Sequence, residues 1–346
     1  MQAKYIEIHN QLQDAEKQIQ SIVVSPTVPT EEAVVKALKQ LGKVATGSIK
    51  VQAEELGQFS PAVIKQSSAA SLLSLDEDAP PEPTSTMPSP TELPTPNQIS
   101  ELAYTLFKHP TVFITEPLLR GYVQLQSLLR RPKTFPEIFE LYAKKPIPVP
   151  DSSPPKYREA NLKSAKSAIP TSIADMAVDA AIKSKNMGLT LDIIDASYAT
   201  PAFSRSKIMR KVLPPGVGVA LTPLALWTIA QEVSLYSPAM DPDLLANYAF
   251  TGFMAYTLFT GTLGYVALTT SNDQMDRVVW IPGTKLYERW LREEERAAID
   301  KVAQAWGFKE RWRRGEEEGE EWEGLREWCF LKGMILDKVE LMDGMQ

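Results

Sequence analysis

Apolar residues recur every three or four positions in the first part of the chain, which is the period of an amphipathic helix. One such stripe consists of Tyr5, Ile8, Leu12, Ala15 and Ile19. A second pattern starts at Thr30, a suitable helix N-cap, and the acidic Glu31 and Glu32 follow in the first turn, where they complement the helix dipole. The pattern therefore predicts an amphipathic helical segment over residues 1–75.

The periodicity stops at residues 76–97, where the sequence DEDAPPEPTSTMPSPTELPTPN is rich in proline. Proline lacks a backbone N–H and favours extended conformations, so this stretch predicts a disordered linker and a domain boundary. Helical patterns return in residues 98–205, with stops before Pro110, Pro132 and Pro146. A helix–turn–helix outline occurs twice in this region. It predicts an all-α domain, either a generic helical bundle or a helical-repeat array.

A long stretch carries no charge between Asp243 and Asp273, and its apolar side chains lie all round the helix that it predicts. A bilayer core needs roughly 20 helical residues, so residues 244–272 are long enough to cross it. The alternative is a buried core helix of a soluble domain. Small residues four positions apart predict close helix packing within a membrane. These pairs are Thr257 with Gly261, and Thr260 with Gly264.

A second uncharged stretch, residues 212–230, is just long enough to cross a bilayer, although Pro223 interrupts it. No Lys or Arg lies between Lys211 and Arg277, whereas basic residues flank both ends. A short loop without Lys or Arg lies on the side opposite to positively charged flanks. The pattern predicts a two-helix transmembrane hairpin within residues 206–275. The alternative is a single span at the later stretch, with the earlier one re-entrant or on the membrane surface.

The C-terminal region, residues 276–346, is charged, rich in tryptophan and predicted to be helical. Aromatic anchors dominate protein interfaces, so the tryptophans of this region are candidate docking residues for a partner protein. They are Trp290, Trp306, Trp312, Trp322 and Trp328. The alternative is that the same apolar stripe folds back onto residues 98–205, because such stripes are often part of a core.

Residues that could carry chemistry are few. Cys329 is the sole cysteine, which excludes an internal disulfide and a thiolate metal cluster within one chain. Neither His9 nor His109 has a second histidine one helical turn away. The stretch from Ser204 to Lys207 has the S-x-x-K spacing of a nucleophilic serine, but the other elements of that family are missing. We therefore interpret Lys207 as part of a basic cluster beside the membrane.

Two pairs of acidic residues lie one turn apart, a spacing that can hold a divalent cation. They are Asp192 with Asp195, and Asp273 with Asp276. We interpret them as helix caps or solvated side chains. With no paired nucleophile and base, no metal cluster and no phosphate-binding loop, the sequence predicts no catalytic residue, no cofactor and no metal site.

The stretch SNDQMDRVVWIPGTKLYERWLREEERAAIDKVAQAWGFKERWRRGEEEGEEWEGLREWCFLKGMILDKVEL follows the two predicted spans. In this arrangement the chain resembles, over residues 98–346, fungal mitochondrial inner-membrane proteins linked to gene expression or complex assembly. The resemblance implies a mitochondrial inner membrane location with the bulk of the chain facing the matrix. In that membrane, the positively charged flanks of the predicted hairpin place both termini in the matrix. It also implies protein partners such as the mitochondrial ribosome or the respiratory-chain assembly machinery. The N-terminus departs from this expectation, since it shows no visible presequence.

These patterns together predict a non-enzymatic membrane scaffold or assembly factor that anchors a matrix-facing helical domain to the bilayer. One alternative is a transporter or enzyme subunit, which the lack of ionisable residues within the two spans disfavours. Another is a membrane-tethered helical-repeat RNA-binding protein, which would need a basic face within residues 98–211. The net charge of −6 disfavours broad attraction to nucleic acid.

Overall fold

The computed structural model of the chain describes residues 2–25, 28–58, 93–148, 157–236, 240–270 and 275–337. These residues are mostly helical, with a few short strands, which confirms the prediction of an all-α protein. They form two compact units, Met1–Ala160 and Asn161–Gln346. The boundary lies inside the region predicted as one domain, residues 98–205. Most of the predicted linker, residues 76–92, lies outside the described residues.

The described helices of the first unit are α1 (Gln2–Val24), α2 (Glu31–Gln58), α3 (Pro96–Lys108), α4 (Glu116–Leu128) and α5 (Phe135–Lys144), with a 3-10 turn at Pro132–Thr134. Two short antiparallel strands follow, β1 (Ile147–Pro148) and β2 (Tyr157–Arg158). Helix α2 is central, because it packs against α1, α3 and α4. The first unit is therefore a helical bundle built around α2.

Local signals in the sequence set the ends of α3. Thr95 caps its N-terminus by accepting from the backbone N–H of Gln98, and Gln98 Oε1 in turn accepts from the backbone N–H of Thr95. At the other end, Lys145 is buried and its Nζ donates to the carbonyl oxygens of Phe107, His109 and Val112. One lysine thus satisfies carbonyl groups that the end of a helix leaves without partners.

The described elements of the second unit are α6 (Thr171–Lys183), α7 (Met187–Ser197), α8 (Pro201–Lys211), α9 (Leu213–Leu235), α10 (Pro242–Thr270), β3 (Val278–Trp280), α11 (Leu286–Leu291), α12 (Glu293–Trp306), α13 (Glu320–Leu331) and β4 (Met334–Leu336), with 3-10 turns at Ala165–Ser167 and Arg311–Arg313. Strand β3 pairs antiparallel with β4, placing Val278 opposite Leu336. Helix α12 packs against α6 and α7. The C-terminal region therefore folds back onto the helices that precede α9.

A buried ion-pair cluster holds the C-terminal region together. Arg277 is fully buried, and its guanidinium donates to Asp337 through Nε at 3.0 Å and through Nη2 at 2.5 Å. The same Nη2 lies 2.6 Å from Glu317 Oε1, and the guanidinium lies over the Trp322 ring at 4.6 Å. The carboxylate of Asp300 accepts from the backbone N–H of Arg277 at 2.8 Å. Since every charge in this cluster has a partner, burial of the arginine is tolerated.

Candidate membrane interface

Among the described residues, α9 is the one helix that is long and apolar enough to cross a membrane. It runs for 23 residues and continues through Pro223. Only 6% of its most apolar 18-residue window is buried, whereas the core helix of a soluble protein would be mostly buried. Its exposed large apolar side chains are Leu213, Val217, Val219, Leu221, Leu224, Trp227, Ile229, Val233 and Leu235.

The second predicted span, α10, is a continuous helix of 29 residues, but its composition is less apolar than that of α9 and does not mark it as a candidate span. The physical reason is its content of threonine, tyrosine and asparagine, whose polar atoms lower its mean hydropathy. The sequence favours residues 244–272 over residues 212–230 as a span, whereas the helix that is apolar enough is α9, which contains Pro223. The described residues contain one candidate span, α9, rather than two.

Helices α9 and α10 nevertheless pack against each other. The residues of α9 that are partly or fully buried lie one turn apart, and all but the leucine are small: Thr222, Leu226, Ala230 and Ser234. On α10 the corresponding residues are Leu245, Ala246, Ala249, Phe250, Phe253, Met254 and Thr257. Small side chains on one helix allow the aromatic side chains of the other to approach closely.

The small-residue pairs predicted on α10 do not make this contact. The buried faces end at Thr222 and Thr257, and residues 213–221 and 258–267 are exposed throughout. Thr260, Gly261 and Gly264 lie in that exposed part, and no neighbouring atom lies within 4 Å of a Cβ built on either glycine. Of the four predicted packing residues, Thr257 alone is at the interface. On α9, Ala230 and Ser234 form a small-residue pair one turn apart that is buried.

An ion pair joins α8, the helix before α9, to the C-terminal region of the second unit. Lys207, in the helix that leads directly into α9, is buried and pairs with Glu294. Lys207 Nζ also donates to the backbone carbonyl oxygen of Trp290 and lies 4.8 Å from the centre of the Trp290 ring. Burial lowers the pKa of Lys207, and Glu294 opposes this shift. These contacts place Lys207 inside the second unit rather than in an exposed basic cluster, and they give it a structural role.

The surface around the base of α9 combines basic and apolar side chains. Arg210, Lys211 and Lys285 are exposed there. Exposed apolar and aromatic neighbours in sequence are Met209, Val212, Leu213, Leu286 and Tyr287. Helix α11, which carries Leu286 and Tyr287, packs against α10. A rim of this composition suits the boundary between a bilayer and water, where cations meet headgroups and aromatic rings lie at the interface.

The five predicted docking tryptophans do not form one exposed surface. Trp322 is 5% exposed and lies beneath the Arg277 guanidinium, so it belongs to the core. Trp306 lies 5.2 Å from Lys185 Nζ, and Trp328 lies 5.0 Å from Lys332 Nζ. Trp290 contacts Lys207 as described above. Trp312 alone among the five is largely exposed, at 70%.

Three of the remaining candidates for chemistry, Asp195, Asp276 and His109, have structural partners, and Asp192 is exposed. Asp195 accepts from Lys332 Nζ at 2.6 Å, and Asp276 lies within 3.7 Å of two arginines, Arg311 and Arg314. His109 Nδ1 lies 2.8 Å from Thr111 Oγ1. No group of three potential metal-ligating side chains occurs among the described residues, which do not include Asp273. Burial raises the pKa of the Cys329 thiol to about 12.

Comparison with known proteins finds no family model, no curated protein and no solved structure that matches this chain. The resemblance to fungal mitochondrial inner-membrane proteins therefore stays a prediction.

Proposed function

We propose that the protein is a non-enzymatic membrane scaffold, which α9 anchors in a bilayer while the helical units remain in the aqueous phase. The observation that carries this proposal is the low burial of α9 within the protein, 6% over its most apolar window. A helix with so many exposed apolar side chains needs an apolar surrounding. Large contiguous apolar patches on a protein surface mark contacts with a membrane or with another protein.

We further propose that α10 crosses the bilayer beside α9, so that the two helices form a transmembrane hairpin. The threonine hydroxyls of α10 donate to carbonyl oxygens one turn earlier, for example Thr251 to Asn247 and Thr257 to Phe253, both at 2.8 Å. Hydroxyl groups satisfied within their own helix cost less in hydrocarbon than unpaired ones. The edge-to-face contact of Trp227 with Phe250 supports the pairing of the two helices.

The same proposal includes topology and compartment. Basic residues lie before α9 and after α10, while residues 231–243, which include the loop and the adjoining helix ends, contain three acidic residues and no Lys or Arg. The positive-inside rule places both flanks on one side. We propose the mitochondrial inner membrane with both flanks in the matrix, on the basis of the sequence resemblance. Partners in complex assembly or gene expression follow from the same resemblance.

Membrane extraction tests the anchor. The wild-type chain and a Leu221→Arg/Leu224→Arg variant are expressed in the same cells, and membranes are washed with alkaline carbonate. Both substituted side chains are largely exposed, so the change acts on the surroundings of α9 rather than on a core. An arginine at the centre of a spanning helix costs about 2.5–3.5 kcal/mol. We expect the wild-type protein in the membrane pellet and the variant in the supernatant.

A matched control carries the same change at exposed leucine and isoleucine positions outside the hairpin, Leu162→Arg and Ile147→Arg. This control should stay in the membrane pellet. Complete extraction of the wild-type protein by carbonate would contradict a spanning helix.

A further inference from the structure

A groove lies in the first unit, between α2 and α4, far along the chain from the proposed anchor. Its volume is about 1060 Å³. Apolar side chains line part of it: Val35, Leu38, Leu125 and Leu128. Three glycines, at positions 42, 47 and 121, also line it. At Gly121 the two helices come close together, because a Cβ there would lie 3.4 Å from Leu38 Cδ1.

The rest of the lining is strongly basic. Lys39, Lys43, Lys50 and Arg120 contribute cations, and Glu116 is the one acidic side chain among the lining residues. Glu116 already lies 3.6 Å from Arg120. The groove thus carries an excess of positive charge in a chain whose net charge is −6. This contrast argues that the local charge serves an occupant of opposite sign.

The three lysines follow one face of α2, at spacings of four and seven residues, and all three are exposed. From Lys39 to Lys50 the helix rises about 16 Å, which is the length of roughly three helical turns. Apolar groove walls with a charged rim are the arrangement that receives an amphipathic helix, whose apolar side chains enter the groove while its charged residues meet the rim. Leu128, 43% exposed, provides apolar surface at one end.

We propose that this groove docks an acidic amphipathic helix of a partner protein, of about three turns, with apolar side chains toward Val35 and Leu128 and carboxylates toward Lys39, Lys43 and Lys50. The inference rests on the proposed scaffold function, because a scaffold needs a surface that binds a partner protein. The groove would supply that surface. It does not depend on membrane insertion, because the groove belongs to the first unit.

A designed peptide tests the proposal on the full-length chain in detergent. The probe is a fluorescently labelled helical peptide with leucines at positions i, i+3, i+7 and i+10 and glutamates beside them. Its scrambled sequence serves as the peptide control. We expect saturable binding by fluorescence anisotropy that weakens with added salt. Equal binding of the scrambled peptide, or no binding, would overturn the proposal.

Charge reversal locates the binding. Lys39→Glu/Lys43→Glu should bind the acidic peptide about tenfold more weakly, because two rim attractions become repulsions. The matched control is Lys17→Glu/Lys133→Glu, at two exposed lysines that do not line the groove, and it should bind like wild type. A peptide with lysine in place of glutamate should bind the reversed variant better than it binds wild type. If the peptide with lysine does not bind the charge-reversed variant better than wild type, the proposal is overturned, even where the variants fold less well.

Two other occupants give different results. If the acidic stretch at residues 76–82 of the same chain filled the groove, neutralising Asp76, Glu77 and Asp78 would tighten peptide binding. If an anionic lipid surface filled it, vesicles containing anionic phospholipid would displace the peptide, and neutral vesicles would not. Either result would overturn the proposal. Membrane extraction of Lys39→Glu/Lys43→Glu should match wild type, so failure of the groove and failure of the anchor are separate outcomes.

Discussion

Trp227 of α9 and Phe250 of α10 meet edge to face, with ring centroids 5.4 Å apart and an interplanar angle of 82°. Offset and edge-to-face pairs are the favoured arrangement of aromatic rings. The two rings can approach because the neighbouring face of α9 is made mostly of small side chains. Ala230, one turn from Trp227, is fully buried.

The first prediction concerns this small-residue face. Ala230→Leu should destabilise the pairing of α9 with α10 by about 1–3 kcal/mol, since added methylene groups in a packed contact force side chains and backbone to move. Thermal unfolding in detergent and protease cleavage between the two helices measure the effect. The control, Val219→Leu, changes an exposed position and should be neutral. Equal stability of the two variants would contradict the proposed packing face.

The second prediction concerns the buried arginine of the C-terminal region. Arg277→Met should cost about 3–5 kcal/mol, because it leaves the buried carboxylates of Asp337 and Glu317 without their partner. Arg326→Met, at an exposed position, should change stability little. Urea unfolding, followed by tryptophan fluorescence, measures both. If the two variants unfold at the same urea concentration, the cluster does not hold this region together.

Gly307 extends that test. A Cβ built on Gly307 would lie 1.7 Å from Arg277 Nη1 and 2.8 Å from Glu317 Oε1. Gly307→Ala should therefore displace the guanidinium and lose much of the stability that Arg277→Met loses. Combining the two substitutions should cost less than the sum of the single effects, because both act on the same contacts.

Much of the secondary structure could be predicted from sequence because its signals are local. The cap at Asn186 and the prolines after α3 and α5 act over a few residues, so they appear directly in the pattern. The Arg277 cluster could not be predicted, since Glu317 and Asp337 lie 40 and 60 residues away and only the fold brings them together. The basic groove likewise depends on the packing of α2 against α4.

The membrane interface was partly visible in the sequence. The sequence predicts both long apolar helices, but it favours α10 over α9 because Pro223 indicates an interruption, whereas α9 continues through this proline. The four-residue spacing of Thr222, Leu226, Ala230 and Ser234 was present in the sequence and was missed for the same reason. The small-residue pairs on α10 are the more visible pattern in the sequence, although three of their four residues lie outside the contact between α9 and α10.

The third prediction is a pH dependence from Lys145. Burial lowers the pKa of its ammonium to about 8, below the value of about 10.4 for an unfolded chain. Above pH 8 the unfolded state therefore holds more protons than the folded state, so deprotonation favours folding. The free energy of unfolding, relative to that of Lys145→Met, should rise between pH 8 and about 10.

Urea unfolding of both proteins at pH 7, 8, 9 and 10 measures this difference. At pH 7 the Met variant also leaves three carbonyl oxygens without their donor, at a cost on the order of 1–3 kcal/mol. A fall in the difference with rising pH would mean that these three acceptors hold the lysine in its charged form.

The fourth prediction separates a structural lysine from a catalytic one. Ser204→Ala should leave stability and function unchanged, whereas Lys207→Met should destabilise the second unit because Glu294 loses its buried partner. Exchanging the charges, Lys207→Glu with Glu294→Lys, should recover part of the lost stability. Thermal unfolding of the four proteins decides this. Loss of function in Ser204→Ala at normal stability would revive the nucleophile hypothesis.

The last prediction is the topology of the hairpin, and the chain offers a clean way to measure it. Cys329 is the sole cysteine, it is buried, and burial raises its pKa to about 12, so it should react slowly with maleimides. Single introduced cysteines then report their own side of the membrane. Tyr236, 85% exposed at the end of α9, marks the loop side, and Arg210 and Lys285 mark the two flanks.

In intact mitoplasts, a membrane-impermeant maleimide should label Tyr236→Cys but neither Arg210→Cys nor Lys285→Cys, since the proposed topology places the positive flanks on the matrix side. Permeabilisation should expose both flanks equally, which also shows that each introduced thiol is reactive. The unsubstituted chain is the control and should stay unlabelled. If Arg210→Cys is protected while Lys285→Cys is labelled, the flanks lie on opposite sides. In that case α9 crosses the bilayer alone, and α10 does not return through it.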